Sequence, residues 1–272
     1  MPRWVRNDQP LSHPGTRYRV AVLGDSQKGL ANLSNLLRCV KEEKVDFILH
    51  TGDLVSTNDE GHYRLVALYL ERAGIDVPMI VVPGNHDLKG SPERFRREIG
   101  PLELSFVRGS ITFATLDNAS GKPPEGRLPA GDAVLAMHVP PFDVSGKPLA
   151  AYGPFLEDLQ KSRVKVLLSG HVHDYIRKEI GATVAIANGV GGDYESWQLK
   201  QKVYATILEV DGTSIRDRVV ELPPEHGLVE NLEHFAVGHV AQAYRDGPFL
   251  AWAGTALLAV LAGASFGFAR RR

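Results

Sequence analysis

Three features of the 272-residue sequence predict an α/β fold of two packed sheets with helices outside them. Short β-rich apolar runs alternate with amphipathic stretches through the first third of the chain. The second half carries more strand-like runs than helical ones, a count that two sheets accommodate better than one doubly wound sheet. Polar residues, finally, gather where apolar runs stop, the place where α/β sheets build their sites.

Taken in order, Tyr18 to Leu23 reads as the first strand and Leu30 to Val40 as an amphipathic helix. Val45 to Leu49 is a second apolar run, Tyr63 to Ala73 a second helix, and Met79 to Val82 a third strand stopped by Pro83-Gly84. Leu104 to Val107 and Ile111 to Leu116 flank Arg108-Gly109, a turn signal. Ala133 to Met137, Val164 to Leu168, Thr183 to Ile186, Val203 to Val210 and Ser214 to Val220 supply further strands, with helical pattern from Phe155 to Lys161. The expected division is an N-terminal extension over 1–17, a catalytic domain over 18–222, a juxtamembrane helix over 223–248, a membrane span over 249–269 and a basic tail over 270–272.

Composition bounds the function. Hydrophobic residues make up 43%, charged residues 23%, and the formal net charge of −1 gives no bulk electrostatic reason for a nucleic-acid partner. The single cysteine, Cys39, permits no intrachain disulfide and sits among Leu36, Leu37 and Val40 as a core thiol would. The N-terminus lacks the apolar run of a secretory signal, which favours a cytoplasmic catalytic domain. Phe249 to Ala269 contains no charged residue and ends at Arg270. As a helix that run spans roughly 30 Å, enough to cross a bilayer core, and a C-terminal anchor is expected. The arginines after it argue for the opposite topology, but a three-residue tail crosses more easily than a whole domain. Ala259, Gly263 and Gly267 repeat every four residues and offer a face on which two anchors could form a homodimer.

Five run ends deliver the chemistry: Gly24-Asp25-Ser26-Gln27, Gly52-Asp53, Gly84-Asn85-His86-Asp87, His138, and Gly170-His171-Val172-His173. Any one of these has an ordinary reading as a cap or a turn. Together they mix oxygen and imidazole donors in a number that exceeds one ion's needs and suits two ions sharing a carboxylate. His171 and His173 would point the same way in an extended segment, whereas in a tight loop each could reach a different ion.

The ordered series Asp-x-Gln, Gly-Asp, Gly-Asn-His-Asp, a lone His and Gly-His-x-His resembles the calcineurin-like metallophosphoesterases. The resemblance runs from Arg19 to about Val220. It implies a four-layer α/β/β/α sandwich with a dinuclear Mn, Fe or Zn centre. Asp25, Gln27 and His173 would serve one ion, Asn85, His138 and His171 the other, and Asp53 would bridge them. His86 would be the histidine beside the leaving group, its ring oriented by Asp87. Gln27 departs from the commoner histidine, and a neutral amide oxygen should weaken the first site or shift it toward Mn or Mg.

The implied reaction is hydrolysis of a phosphodiester or pyrophosphate by a hydroxide activated between the metals, with His86 assisting the departing oxygen. A phosphomonoesterase, including one acting on phosphoprotein, is the alternative, and an inactive membrane-tethered scaffold a more distant one. Substrates would be small-molecule or lipid-linked phosphoesters, the latter suggested by the tether. His50 reads either as a support of the site or as a buried strand-end residue. Asn118 reads as a turn residue or a substrate contact, with Asp143 and Asn188 as similar candidates. Arg94, Arg96 and Arg97 read as a charged helix face, Asp193 and Tyr194 as anchors of a glycine-rich loop, and His226, His234 and His239 as non-ligands.

Overall fold

The computed structural model describes residues 1–9, 11–125, 127–189 and 203–222, within a compact unit formed by Met1–Pro224. The expected juxtamembrane helix, the anchor over 249–269 with its dimer face, the three histidines before it, and Asp193 and Tyr194 lie outside those residues. Among the described residues no helix is long and apolar enough to cross a membrane.

Eleven strands and four helices are described. Their order is β1 (Arg17–Leu23), α1 (Leu30–Glu42), β2 (Phe47–His50), α2 (Glu60–Ala73), β3 (Met79–Val81), α3 (Glu93–Glu98), β4 (Leu104–Arg108), β5 (Ile111–Thr115), β6 (Ala133–Ala136), α4 (Gly153–Lys161), β7 (Val164–Ser169), β8 (Tyr175–Ile180), β9 (Thr183–Asn188), β10 (Tyr204–Asp211) and β11 (Ser214–Glu221). One sheet runs β11-β10-β1-β2-β3 and the other β4-β5-β6-β7-β9-β8. Both are mixed, with β1, β2 and β3 parallel in the first and β5, β6, β7 and β9 parallel in the second.

Period-two alternation sets the layers. Val20, Val22, Phe47, Leu49, Phe113, Val134, Leu168, Ile186 and Leu208 share one buried cluster between the sheets. Their neighbours Leu135, Met137, Leu167, Ala185 and Ala187 face the other way and pack with Phe155 and Leu159 of α4. Each such side chain contributes roughly 1.5–3 kcal/mol on leaving water, so register is strongly fixed: a slip of one residue would exchange the two sets. α1 and α2 lie side by side, the Lys41 ammonium donating to the Gly74 carbonyl at 2.7 Å. α2 begins where the Asp59 side chain accepts the His62 N–H and ends at Gly74, whose φ of 65° only glycine adopts freely. Cys39 is half-buried at the flank of α1 rather than in the core, because the helical phase puts Leu36, Leu37 and Val40 inward in its place.

The first sixteen residues pack on the domain rather than trailing from it. Val5 forms a bridge to Met79 on β3, and His13 forms one to Arg108 on β4. Between them the buried Asn7 gives its amide hydrogens to the Val81 and Pro101 carbonyls and takes the Val81 N–H at 2.9 Å. This strap thereby covers the edge strands of both sheets on one side of the sandwich. On the other side Arg177 of β8 pairs with Asp217 of β11 at 2.8 Å.

Candidate metal centre

Parallel strands of both sheets end on one side of the sandwich, and five of their C-terminal ends carry the predicted donors. β1 leads into Asp25 and Gln27, β2 into Asp53, β3 into Asn85 and His86, β6 into His138, β7 into His171 and His173, and β9 into Gly189. Asp25, Gln27, Asp53 and His138 form a buried floor, while His86 and His173 stand at a rim, 34% and 20% exposed.

All seven predicted donors meet in one closed ring. Asp25 Oδ1 is 3.4 Å from His173 Nε2, which is 3.4 Å from Gln27 Nε2. The Gln27 amide donates to Asp53 Oδ2 at 3.0 Å, and Asp53 Oδ1 is 3.5 Å from His138 Nε2. His138 Nε2 is 3.0 Å from Asn85 Oδ1, and that oxygen is 3.1 Å from His171 Nδ1. The His171 N–H closes the ring on Asp25 at 2.9 Å. The two histidines do not point the same way: His171 faces Asn85 and His173 faces Gln27. His86 adjoins the ring, its N–H on Asp53 Oδ1 at 2.9 Å and its Nε2 4.0 Å from Asp53 Oδ2.

The backbone is strained where these donors sit. Asp25, Gln27, Asp53, His171 and His173 have φ of 54°, 34°, 55°, 68° and 46°. Lys44, in a turn, is the only other non-glycine residue with positive φ among those described. Each such residue costs on the order of 1–3 kcal/mol and persists only where surrounding contacts enforce it. The turns are also crowded. A Cβ at Gly84 would run into the Asp53 carboxylate, and one at Gly170 into that of Asp25, so glycine lets these backbones approach the two acids.

The electrostatics call for positive charge. Oxygens of Asp25 and Asp53 and a nitrogen of His138 all lie within 4.8 Å of one another, all three residues buried. Burial alone would push His138 down, yet the hydrogen bond and charge of Asp53, with the charge of Asp25, lift it to about 9. Burial would likewise raise Asp53, but His138 outweighs it and holds the carboxyl below its usual range. Both shifts favour positive charge beside these carboxylates, and the donor set suits divalent ions.

One assigned role changes hands. Asp87 does not orient the His86 ring: its two oxygens accept the Val55 and Gly84 N–H groups at 3.0 and 2.9 Å, bracing the loop from beneath. Burial, reinforced by the Asp53 charge, lifts Asp87 to about 7. The His86 ring is held instead by the Ser56 carbonyl, 2.7 Å from Nδ1, a backbone partner that residue types do not reveal.

Of the smaller candidates, Asn118 is no substrate contact. It is buried, its Oδ1 accepts the His138 and Val139 N–H groups, and its amide donates to the Val139 carbonyl and the Tyr152 hydroxyl. Asp143 closes a local turn through Ser145 and Lys147. Asn188 crosses between the sheets to the Val22 carbonyl and the Thr206 hydroxyl. Arg96 and Arg97 pair with Glu93 and Glu98 on α3. His50 is fully buried and burial drives it down to about 4, so it is neutral.

A model of the calcineurin-like phosphoesterase family matches residues 18–175. No curated protein sequence matches the chain. Among solved structures, a purple acid phosphatase from yellow lupin (Lupinus luteus) seeds is 15% identical, with a TM-score of 0.55 over 77% of this chain and 52% of its own. The chain thus spans about half that enzyme's length. A protein described as the anchor in the inner membrane complex of Plasmodium is 16% identical, with a TM-score of 0.56 over 82% of this chain and 95% of its own. A dimetal phosphatase from Danio rerio is 13% identical, with a TM-score of 0.50 over 76% of this chain and all of its own. At these identities the likeness is one of fold.

Proposed function

The chain belongs to the calcineurin-like phosphoesterase family, a hydrolase of phosphoester bonds, and we propose that it cleaves a phosphodiester or pyrophosphate at a centre of two divalent ions. In this reading Asp25, Gln27 and His173 hold one ion, Asn85, His138 and His171 the other, and Asp53 both. The observation that carries it is the order of the ring. Going round, the first three donors are contiguous, Asp53 follows them, and the second three close the circle. Gln27 turns its amide nitrogen toward Asp53, and a half-turn of that amide would offer its oxygen to an ion. The donors are hard to borderline, which favours Mn, Fe or Zn.

Bound ions would supply an activated water and neutralise charge gathering on phosphorus. The protein's share is positional. His86, tied at Nδ1 to Ser56, presents Nε2 at the partly open rim beside Asp53, where it can give a proton to the departing oxygen.

Elemental analysis after Mn loading of the piece ending at Pro224 should approach two ions per chain, with hydrolysis of an aryl phosphoester. One ion and no gain in rate on titration would remove the dinuclear centre. Diesters, dinucleotides, lipid-linked pyrophosphates and monoesters assayed together decide the ester class. Monoesterase activity is the alternative, in keeping with the likeness to the dimetal phosphatase from Danio rerio. The proposed tether at 249–269 rests on the charge-free run, and the cytoplasmic side proposed for the catalytic domain on the N-terminal sequence. Protein released from membranes by carbonate would rule it out.

A further inference from the structure

Between the turn carrying Asp25 and Gln27 and the turn carrying Asp53 runs a buried file of hydrogen bonds that the proposed chemistry does not use. His50, the last residue of β2, accepts the Gly52 N–H at Nδ1 over 3.3 Å. A ring nitrogen that accepts carries no hydrogen, so the proton of the neutral ring is on Nε2. Nε2 lies 3.1 Å from the hydroxyl of Ser26, itself fully buried, and donates to it. The Ser26 hydroxyl then directs its own hydrogen to the Leu54 carbonyl, 3.3 Å away. Each donor is used once and the direction is unique: Gly52 to His50, His50 to Ser26, Ser26 to Leu54.

We propose that His50 and Ser26 are positioning residues, which hold Asp25, Gln27 and Asp53 in the left-handed conformations that aim them at metal. The proposal rests on the two-ion reading above. Ser26 stands between Asp25 and Gln27, while Gly52 and Leu54 flank Asp53, so every contact of the file falls on a unit adjoining a donor. Those three donors have φ of 54°, 34° and 55°, and each would relax to negative φ if its neighbours let it turn. The backbone ties Asp25 N–H to Gly52 carbonyl at 2.9 Å and Gln27 N–H to Asp53 carbonyl at 3.1 Å fix the spacing of the turns. The file adds a tie through two buried side chains. Gly24 completes the seam: a Cβ there would strike the Thr51 hydroxyl, so the two turns lie as close as glycine allows.

Mn titration calorimetry on the wild type, Ser26→Ala, His50→Phe and His50→Gln tests this, run well below each chain's melting temperature in chelator. Ser26→Ala and His50→Phe should bind the weaker ion at least tenfold less tightly. His50→Gln, whose amide can still donate to Ser26, should fall between them and the wild type. A role confined to packing would lower the melting temperature yet leave the affinity of folded chains within twofold of the wild type, and that result overturns the proposal. Should His50→Phe fail to fold, Ser26→Ala decides alone, since it removes a single oxygen. A wild type that takes up no ion defeats the two-ion reading itself, so the two failures are told apart by which chain shows them.

Discussion

Asp53→Asn separates the charge of the bridging carboxylate from its shape. In the native ring Oδ1 takes the His86 N–H at 2.9 Å and faces His138 Nε2 at 3.5 Å, while Oδ2 takes the Gln27 amide at 3.0 Å. Asparagine keeps the acceptor for His86 and turns the other oxygen into a donor. The Gln27 amide can answer by rotating to present its oxygen, so the fold should survive. The ions have no such remedy. Each loses a charge-assisted contact of about 1.5–3 kcal/mol, taking hydrogen bonds to charged groups as the scale. Together that is about 3–6 kcal/mol, or on the order of 10²–10⁴ in the product of the two dissociation constants. Asn85→Ala, by contrast, touches only His138 and His171 and should weaken one ion by up to about 10² while sparing the other. Calorimetric titration with Mn, read beside thermal unfolding in chelator, gives both numbers. An Asp53→Asn chain that holds two ions within threefold of the wild type would refute the bridging assignment, however much turnover it had lost.

His86→Ala should keep its metals and lose about 10² or more in turnover on a poor leaving group, with a smaller loss on nitrophenolate; equal losses on both would remove the acid role. Metal-free protein should lose stability as pH rises from about 6.5 to about 9. The folded-state value of His138 lies above its ordinary one, so its contribution is whole below the ordinary value and gone above the raised one. Metal uptake at neutral pH should accordingly expel a proton, because a ligating imidazole is neutral. A binding enthalpy independent of the buffer's ionisation heat would contradict that. Asn7→Ala strips three hydrogen bonds from a buried amide and should cost about 2–4 kcal/mol in urea unfolding while leaving metal affinity alone. A change below about 0.5 kcal/mol would mean the strap is held elsewhere.

The meeting of the seven ring residues was legible because a buried strand announces itself as an apolar run, and a polar residue at its end has few reasons to be there. Layering was legible in the number of such runs, since β2 and β6 are buried throughout and read as unbroken apolar stretches. β8 was not read: Tyr175-Ile-Arg-Lys-Glu-Ile lies on an edge, half in solvent, and its charges hide the period. α3 was read only through Arg94, Arg96 and Arg97 as a charged face, since six residues are too few for a helical period to emerge. The exchange of roles between Asp87 and Ser56 was beyond reach because a carbonyl oxygen is the same on every residue. The left-handed donors were equally hidden, since Asp, Gln and His at those positions carry none of the glycine signal that marks such a backbone.

The strap has a consequence for the order in which the domain can form. Val5 waits for Met79 and His13 for Arg108, and β1 lies against both β2 and β10, so Arg17 meets Asp211 only when nearly the whole domain has emerged from the ribosome. The strap's bridge partners are thus all present by residue 108, whereas β1 stays open on its β10 side until the end of the domain is made. A chain stalled before residue 204 has its donors but neither β10 nor β11 to finish the sheet beneath them. Protection of residues 1–16 from protease on stalled nascent chains should therefore begin at lengths that release β4, before β10 has emerged.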